Sequence, residues 1–97
     1  MALTLTPRQR AQLKARAHAL EPVVHVGHGG VTEAVVAEVD RALTAHELIK
    51  VRVGAADRDG RAEAAEAICA RTGAAKVGAV GKVLILWRPR PEDAPES

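Results

Sequence analysis

A chain of 97 residues has room for one domain with one modest core, so two catalytic domains, a barrel enzyme and a complete doubly wound dinucleotide fold are excluded by length. Residues of the AVILMFWYC set make up 47%, too many for a disordered chain, and with Trp87 the sole aromatic the core must be aliphatic. The net charge of +2 is unevenly spread: residues 1–88 hold 13 Lys and Arg against nine Asp and Glu, while residues 89–97 hold Arg90 against Glu92, Asp93 and Glu96.

Thr6-Pro7-Arg8-Gln9 reads as a capping box with proline at the first helical position, so a first helix is predicted from Pro7 to about Ala19, ahead of Pro22. Leu13, Ala17 and Leu20 form its narrow apolar stripe. Arg10, Lys14 and His18 form a basic one beside it that no carboxylate interrupts. Val23-Val24-His25-Val26 predicts a short buried strand, ended by Gly27-His28-Gly29-Gly30. Thr32 then caps a second helix running to about Ala45, with Val35, Val36, Val39, Ala42 and Leu43 as its core face. Leu48 to Val53 predicts a strand with Ile49, Val51 and Val53 on one face and Lys50 and Arg52 on the other.

A third helix follows, capped by Asp57 or Asp59, burying Ala65, Ile68 and Cys69 and stopping at Gly73. Residues 75–80, weakened by Gly78, and Val83 to Trp87 predict two strands joined by a Gly81-Lys82 turn. The order α-β-α-β-α-β-β predicts a single α/β domain over residues 1–88 with a four-stranded mixed sheet, and strands separated by helices favour parallel pairing. Residues 89–97, with three prolines and three acids, are expected to form a disordered acidic tail.

No apolar run reaches the 18 or so residues that span a bilayer, and the N-terminus lacks the sections of a signal peptide. Cys69 has no second cysteine to pair with, so a reducing cytoplasm is the expected setting and no membrane partner is expected. Catalytic residues are poorly supplied: the one serine is Ser97, Cys69 lies on an apolar helix face, and Glu63 and Glu66 have ordinary surface spacing. His25 and His28 are three apart but lack a completing Cys, Asp or Glu, so no metal and no cofactor are expected.

The Gly27–Gly30 segment differs in kind. A glycine-rich turn between a strand and a helix presents free backbone N–H groups and partial positive charge, the arrangement that suits a phosphate. It lacks the ending of a triphosphate-binding loop and the full dinucleotide spacing, and a plain strand-to-helix turn is the competing reading. Arg10, Lys14, Lys50, Arg52, Lys82 and Arg88 are further candidates for phosphates. With Trp87 alone, base stacking on aromatics is excluded as the main mode of binding.

These stretches together resemble the CRM domain (chloroplast RNA splicing and ribosome maturation), in particular its stand-alone bacterial YhbY-like members. The matching residues are Leu5-Thr6-Pro7-Arg8-Gln9-Arg10, Leu20-Glu21-Pro22-Val23-Val24, the Gly27–Gly30 loop with Val31-Thr32-Glu33, His46-Glu47-Leu48-Ile49-Lys50-Val51, Arg71-Thr72-Gly73-Ala74, and Gly81 through Pro89. The resemblance implies a fold similar to the C-terminal domain of bacterial translation initiation factor three. It also implies RNA binding through a GxxG loop likened to that of KH domains, and association with precursors of the large ribosomal subunit. Carried over by position, the loop is Gly27, His28, Gly29 and Gly30, and Arg8, Arg10 and Lys14 form the neighbouring RNA surface. The glycine at Gly29 and the acidic tail depart from the family's pattern.

The expectation is therefore a non-enzymatic, monomeric RNA-binding protein of large-subunit assembly, with ribosomal proteins as further possible partners. Two rivals stand beside it. One is a protein–protein adaptor that uses helix faces to contact a ribosomal protein or assembly factor, and the other is a small enzyme acting on a phosphate ligand.

Overall fold

The computed structural model describes residues 5–54 and 57–89, and its elements run α1 (Pro7–Ala17), β1 (Pro22–Val26), α2 (Glu33–His46), β2 (Leu48–Val53), α3 (Arg58–Thr72), β3 (Ala75–Val80) and β4 (Val83–Trp87). The expectation for the tail beyond Pro89 lies outside the described residues.

The capping chemistry sets the helix starts. Thr6 Oγ1 accepts from the Gln9 N–H at 3.1 Å while Gln9 Oε1 accepts from the Thr6 N–H at 2.9 Å, a closed reciprocal box. Thr32 Oγ1 accepts from the Val35 N–H, and of the two candidate caps for α3 it is Asp57 that accepts from the Gly60 N–H at 2.8 Å. Asp59 lies in the first turn, where its charge complements the helix dipole. Helix α1 stops two residues short of Ala19, because the His18 and Leu20 N–H groups turn back to the Ala15 and Ala17 carbonyls in i→i−3 bonds that close the last turn. Leu20 thus falls beyond the helix and is exposed, leaving Leu13 and Ala17 as the buried stripe.

The sheet is mixed, in the order β1-β2-β4-β3. Only β1 and β2 pair parallel; β4 lies antiparallel between β2 and β3. Strands β2 and β3, separated by α3, therefore run in the same direction without pairing, because β4 lies between them. The hairpin turn at Gly81-Lys82 ties β4 to β3, and the apolar Leu84-Ile85-Leu86 run needs cover on both faces, which only an interior position supplies. The reading of β1 as a buried strand is corrected for the same reason: it is an edge strand, with Val24 and Val26 buried and Val23 and His25 exposed.

Alternation along the strands creates two cores. On one face, Val24, Val26, Ile49, Val51, Val53, Leu84 and Leu86 pack under α2 and α3 through Val39, Leu43, Ala64, Ala65 and Ile68. On the other, α1 brings Leu13 and Ala17, with Leu5, onto Leu48, Ala75, Val77 and Ile85, and half-buried Trp87 borders the cluster.

Helix α2 reaches β2 through one residue, Glu47, whose N–H donates to the Leu43 carbonyl and whose own carbonyl accepts from the Arg88 N–H. It does so at φ +66°, ψ −45°, a conformation costly for any residue with a Cβ. Replacing Glu47 by Ala and by Gly removes the same side-chain interactions, so their difference isolates the backbone. The Glu47→Gly protein should be the more stable by about 1 kcal/mol in urea unfolding, the reverse of the usual order. Equal stability of the two variants would show that Glu47 carries no strain.

Candidate nucleic-acid interface

The glycine loop leaves the sheet where β1 ends. The Gly30 N–H donates to the Gly27 carbonyl at 3.0 Å, which places His28 and Gly29 at the turn's tip. Gly30 has φ +75° and is the one loop position whose backbone demands glycine. A Cβ added at Gly27 would meet nothing within 4 Å, and one at Gly29 only Thr32 Cγ2 at 3.7 Å. The outer face of the loop is therefore bare backbone ahead of the capped N-terminus of α2. On its inner side the loop borders a cleft of about 350 Å³ shared with Gly60, Glu63 and Ala64 of α3. The Glu63 carboxylate there opposes a phosphate, so the outer face is the one open to an anion.

The ends of β2 and the β3–β4 turn lie beside the loop. His25 pairs with Arg52 in register, Arg52 with Val83, and the Val53 N–H donates to the Lys82 carbonyl at 2.7 Å. Arg52, exposed, shares the α1 side of the sheet with Lys50 about 7 Å further back along the strand. Lys50 Nζ gives one of its protons to the Leu20 carbonyl at 3.0 Å, which steadies the side chain beside the end of α1. Lys14 lies over β3 with its stem against Gly78, the point at which the β3–β4 register shifts.

The structure thus gathers Gly27, His28, Gly29 and Gly30 with Arg52 and Lys82 at one edge, and continues through Lys50 to Lys14. Arg8 and Arg10 are exposed on the first turn of α1, Arg10 one turn ahead of Lys14. Arg88 does not join the set. Its guanidinium donates to Asp40 Oδ1 and the Thr72 carbonyl, both at 2.7 Å, to Thr44 Oγ1 at 3.0 Å and to the Asp40 carbonyl at 3.2 Å. With its side chain only 17% exposed, it joins α2 to the C-terminal end of α3 and serves the fold.

The charge distribution has two sides. Helix α1 and the four strands contain no Asp or Glu, whereas α2 and α3 carry Glu33, Glu38, Asp40, Asp59, Glu63 and Glu66. Arg71 is ion-paired as well, to Glu33 at 2.8 Å. A cluster not anticipated from sequence is Arg58, Arg61 and Lys76, which line a separate polar cleft against Ala79 and Gly81. Lys76 lies 18 and 15 residues from Arg58 and Arg61, across a helix and a strand, so no local pattern announces it. Burial pushes the Cys69 thiol up, offset in part by the nearby Lys76 charge, which disfavours a nucleophilic thiolate. Among the described residues no three His, Cys, Asp or Glu side chains converge to hold a metal ion.

Residues 5–88 match the CRS1/YhbY (CRM) domain model. A Haemophilus influenzae protein named as an RNA-binding protein is 47% identical over 89 residues, covering 92% of this chain and 90% of that protein. A Pseudomonas aeruginosa protein named as a probable RNA-binding protein is 40% identical over 90 residues, covering 93% and 86%. A Staphylococcus aureus solution structure, described as that of a candidate RNA-binding protein, superposes with a TM-score of 0.82 at 31% identity, covering 93% of this chain and 94% of its own.

The Arg88 network makes a direct prediction. Arg88→Ala should lower stability in urea unfolding by about 2–3 kcal/mol, because several charge-assisted bonds are lost and the Thr72 carbonyl loses a donor. Arg88→Lys should recover less than half of that, since an ammonium cannot reproduce the planar fork. A loss below about 0.5 kcal/mol in the Ala variant, typical of a surface change, would contradict this role.

Proposed function

The chain belongs to the CRS1/YhbY (CRM) domain family, and on that premise we propose that it is an RNA-binding protein, not an enzyme, that associates as a monomer with ribosomal RNA in precursors of the large subunit. Its setting is the cytoplasm, where its lone, half-buried Cys69 stays reduced. The RNA lies along the α1 side of the sheet. The observation that carries this reading is the acid-free basic track Lys14–Lys50–Arg52–Lys82 leading to a glycine loop whose outer face is bare backbone.

Each part has a physical role. The Gly27–Gly30 backbone approaches a phosphate without a Cβ in the way, and the N-terminus of α2 adds partial positive charge. Lys14, Lys50, Arg52 and Lys82 neutralise flanking phosphates, with Arg8 and Arg10 extending the field along α1. The relatives named as RNA-binding support RNA as the partner, and the choice of ribosomal RNA follows what the family resemblance implies. Recognition of this kind reads shape and backbone more than sequence.

Fluorescence anisotropy against fragments of large-subunit rRNA tests the proposal. Log affinity should fall linearly with log salt, and Arg52→Gln should reduce the slope by about one unit while weakening all fragments alike. Gly29→Asp should weaken binding at least tenfold, as a carboxylate repels the phosphate. The fold should survive, because Gly29 has no positive φ and a Cβ there meets only Thr32 Cγ2 in ordinary contact. Absence of binding at low salt would overturn the proposal, and unchanged affinity in a folded Gly29→Asp protein would remove the loop from it.

A further inference from the structure

Below the glycine loop, on the same side of the sheet, lies a groove of about 420 Å³ whose lining differs from that of a pure phosphate track. Its floor is Pro22, Val80, Val83 and Ile85, two lysines, Lys14 and Lys50, supply its positive charge, and the imidazole of His18 adds a hydrogen-bonding group. The lining contains no carboxylate and no aromatic ring. Val80 is 62% exposed, the most open large apolar residue among those described, and sits at the hairpin end of the edge strand β3.

Two details show how the groove is shaped. A Cβ on Gly78 would stand 3.3 Å from Lys14 Cε and 3.5 Å from Cδ, so the absence of a side chain there lets the lysine stem lie flat on β3. The stem walls the groove and its ammonium stays in water at the rim. On the β2 side, the bond from Lys50 Nζ to the Leu20 carbonyl holds that lysine against the end of α1. One row further along the sheet, His25, Arg52 and Val83 stand side by side in register, and β1 leads from His25 straight into Gly27.

We propose that this groove takes one unpaired nucleotide of the bound RNA, its base laid on Pro22, Val80 and Val83 and its phosphate held by Lys14 and His18. The inference rests on the RNA-binding reading and deepens it. An apolar floor under a cationic rim matches the two halves of a nucleotide, and the volume is that of a small-ligand site. Continuity with Arg52 and the glycine loop selects a nucleic-acid strand over an acidic peptide. It also supplies base contact in a chain whose single aromatic, Trp87, lies over the far end of the sheet.

The test uses the full chain and two single-stranded probes, a 12-nucleotide oligouridylate and a strand of equal length and charge that lacks bases. The native protein should bind the base-bearing strand at least fivefold more tightly. Val80→Asn should abolish that preference and leave affinity for the abasic strand unchanged, whereas Lys14→Gln should weaken both. Val80→Thr, nearly isosteric and well suited to a strand, should reduce the preference likewise and guards against a folding defect in the Asn variant. Equal affinity of the native protein for the two strands, or a preference that survives both Val80 variants, would overturn the groove. Binding of rRNA fragments but of neither strand would also overturn it while sparing the RNA-binding reading. Binding of none of the three would overturn both and leave the groove to a protein partner.

Discussion

A single short helix covers one face of a four-stranded sheet, and most of what is particular to this molecule follows from that imbalance. Helix α1 has 11 residues, so it is about 16 Å long and about 10 Å wide, against a sheet face of about 20 by 14 Å. Two longer helices, α2 with 14 residues and α3 with 15, cover much more of the opposite face. Beneath α1 only Leu48, Ala75, Val77 and Ile85 are buried with Leu13 and Ala17, and the remaining positions on that side stay open. Strand β2 expresses the consequence within six residues. Ile49, Val51 and Val53 point into the core under α2 and α3, while Leu48 goes under α1 and Lys50 and Arg52 emerge beyond its edge.

Charge follows the same partition. The better-covered side can carry acids on the outer faces of α2 and α3 at no cost to the core, and it uses some of them to hold arginines in place, as Glu33 does for Arg71 and Asp40 for Arg88. The half-covered side has no carboxylate on any of its strands or on α1, and the acids nearest to it, Glu21 and Glu47, stand in the connections at its margin. The glycine loop stands at the end of this surface because β1 is an edge strand whose C-terminal end coincides with that of β2. Fold and function meet in the strand order: with β4 in the interior, the β3–β4 turn and Lys82 are brought alongside the ends of β1 and β2.

Much of this was legible in the sequence, and the part that was not has a common cause. Thr6, Thr32, Asp57 and Gly73 act through bonds spanning three or four residues, so the helix limits could be read locally. The faces of β2 followed from simple alternation. Strand order did not, because it is decided by which strands need cover on two sides, a property of the assembled sheet. The network around Arg88 was hidden for a similar reason. Its partners Asp40 and Thr72 are 48 and 16 residues away, and an arginine after the last strand looks the same in sequence whether it is committed to the fold or free. The strain at Glu47 and the fit of Lys14 over Gly78 were equally hidden, since each depends on where two elements meet. The loop was recognised as a unit, yet the structure divides it: Gly30 is required by its backbone, while Gly27 and Gly29 keep an open surface bare.

The central claim is that RNA meets the α1 side of the sheet and the outer face of the glycine loop. Titrating isotope-labelled protein with a large-subunit rRNA fragment and following backbone amide shifts tests it most directly. Perturbations should concentrate on Lys14 to His18, His25 to Gly30, Lys50 to Gly54 and Val80 to Val83, with the outward positions of α2 such as Glu38 and Arg41 unmoved. Shifts centred on α2 and α3, with the glycine loop silent, would place the partner on the acidic side and contradict the account.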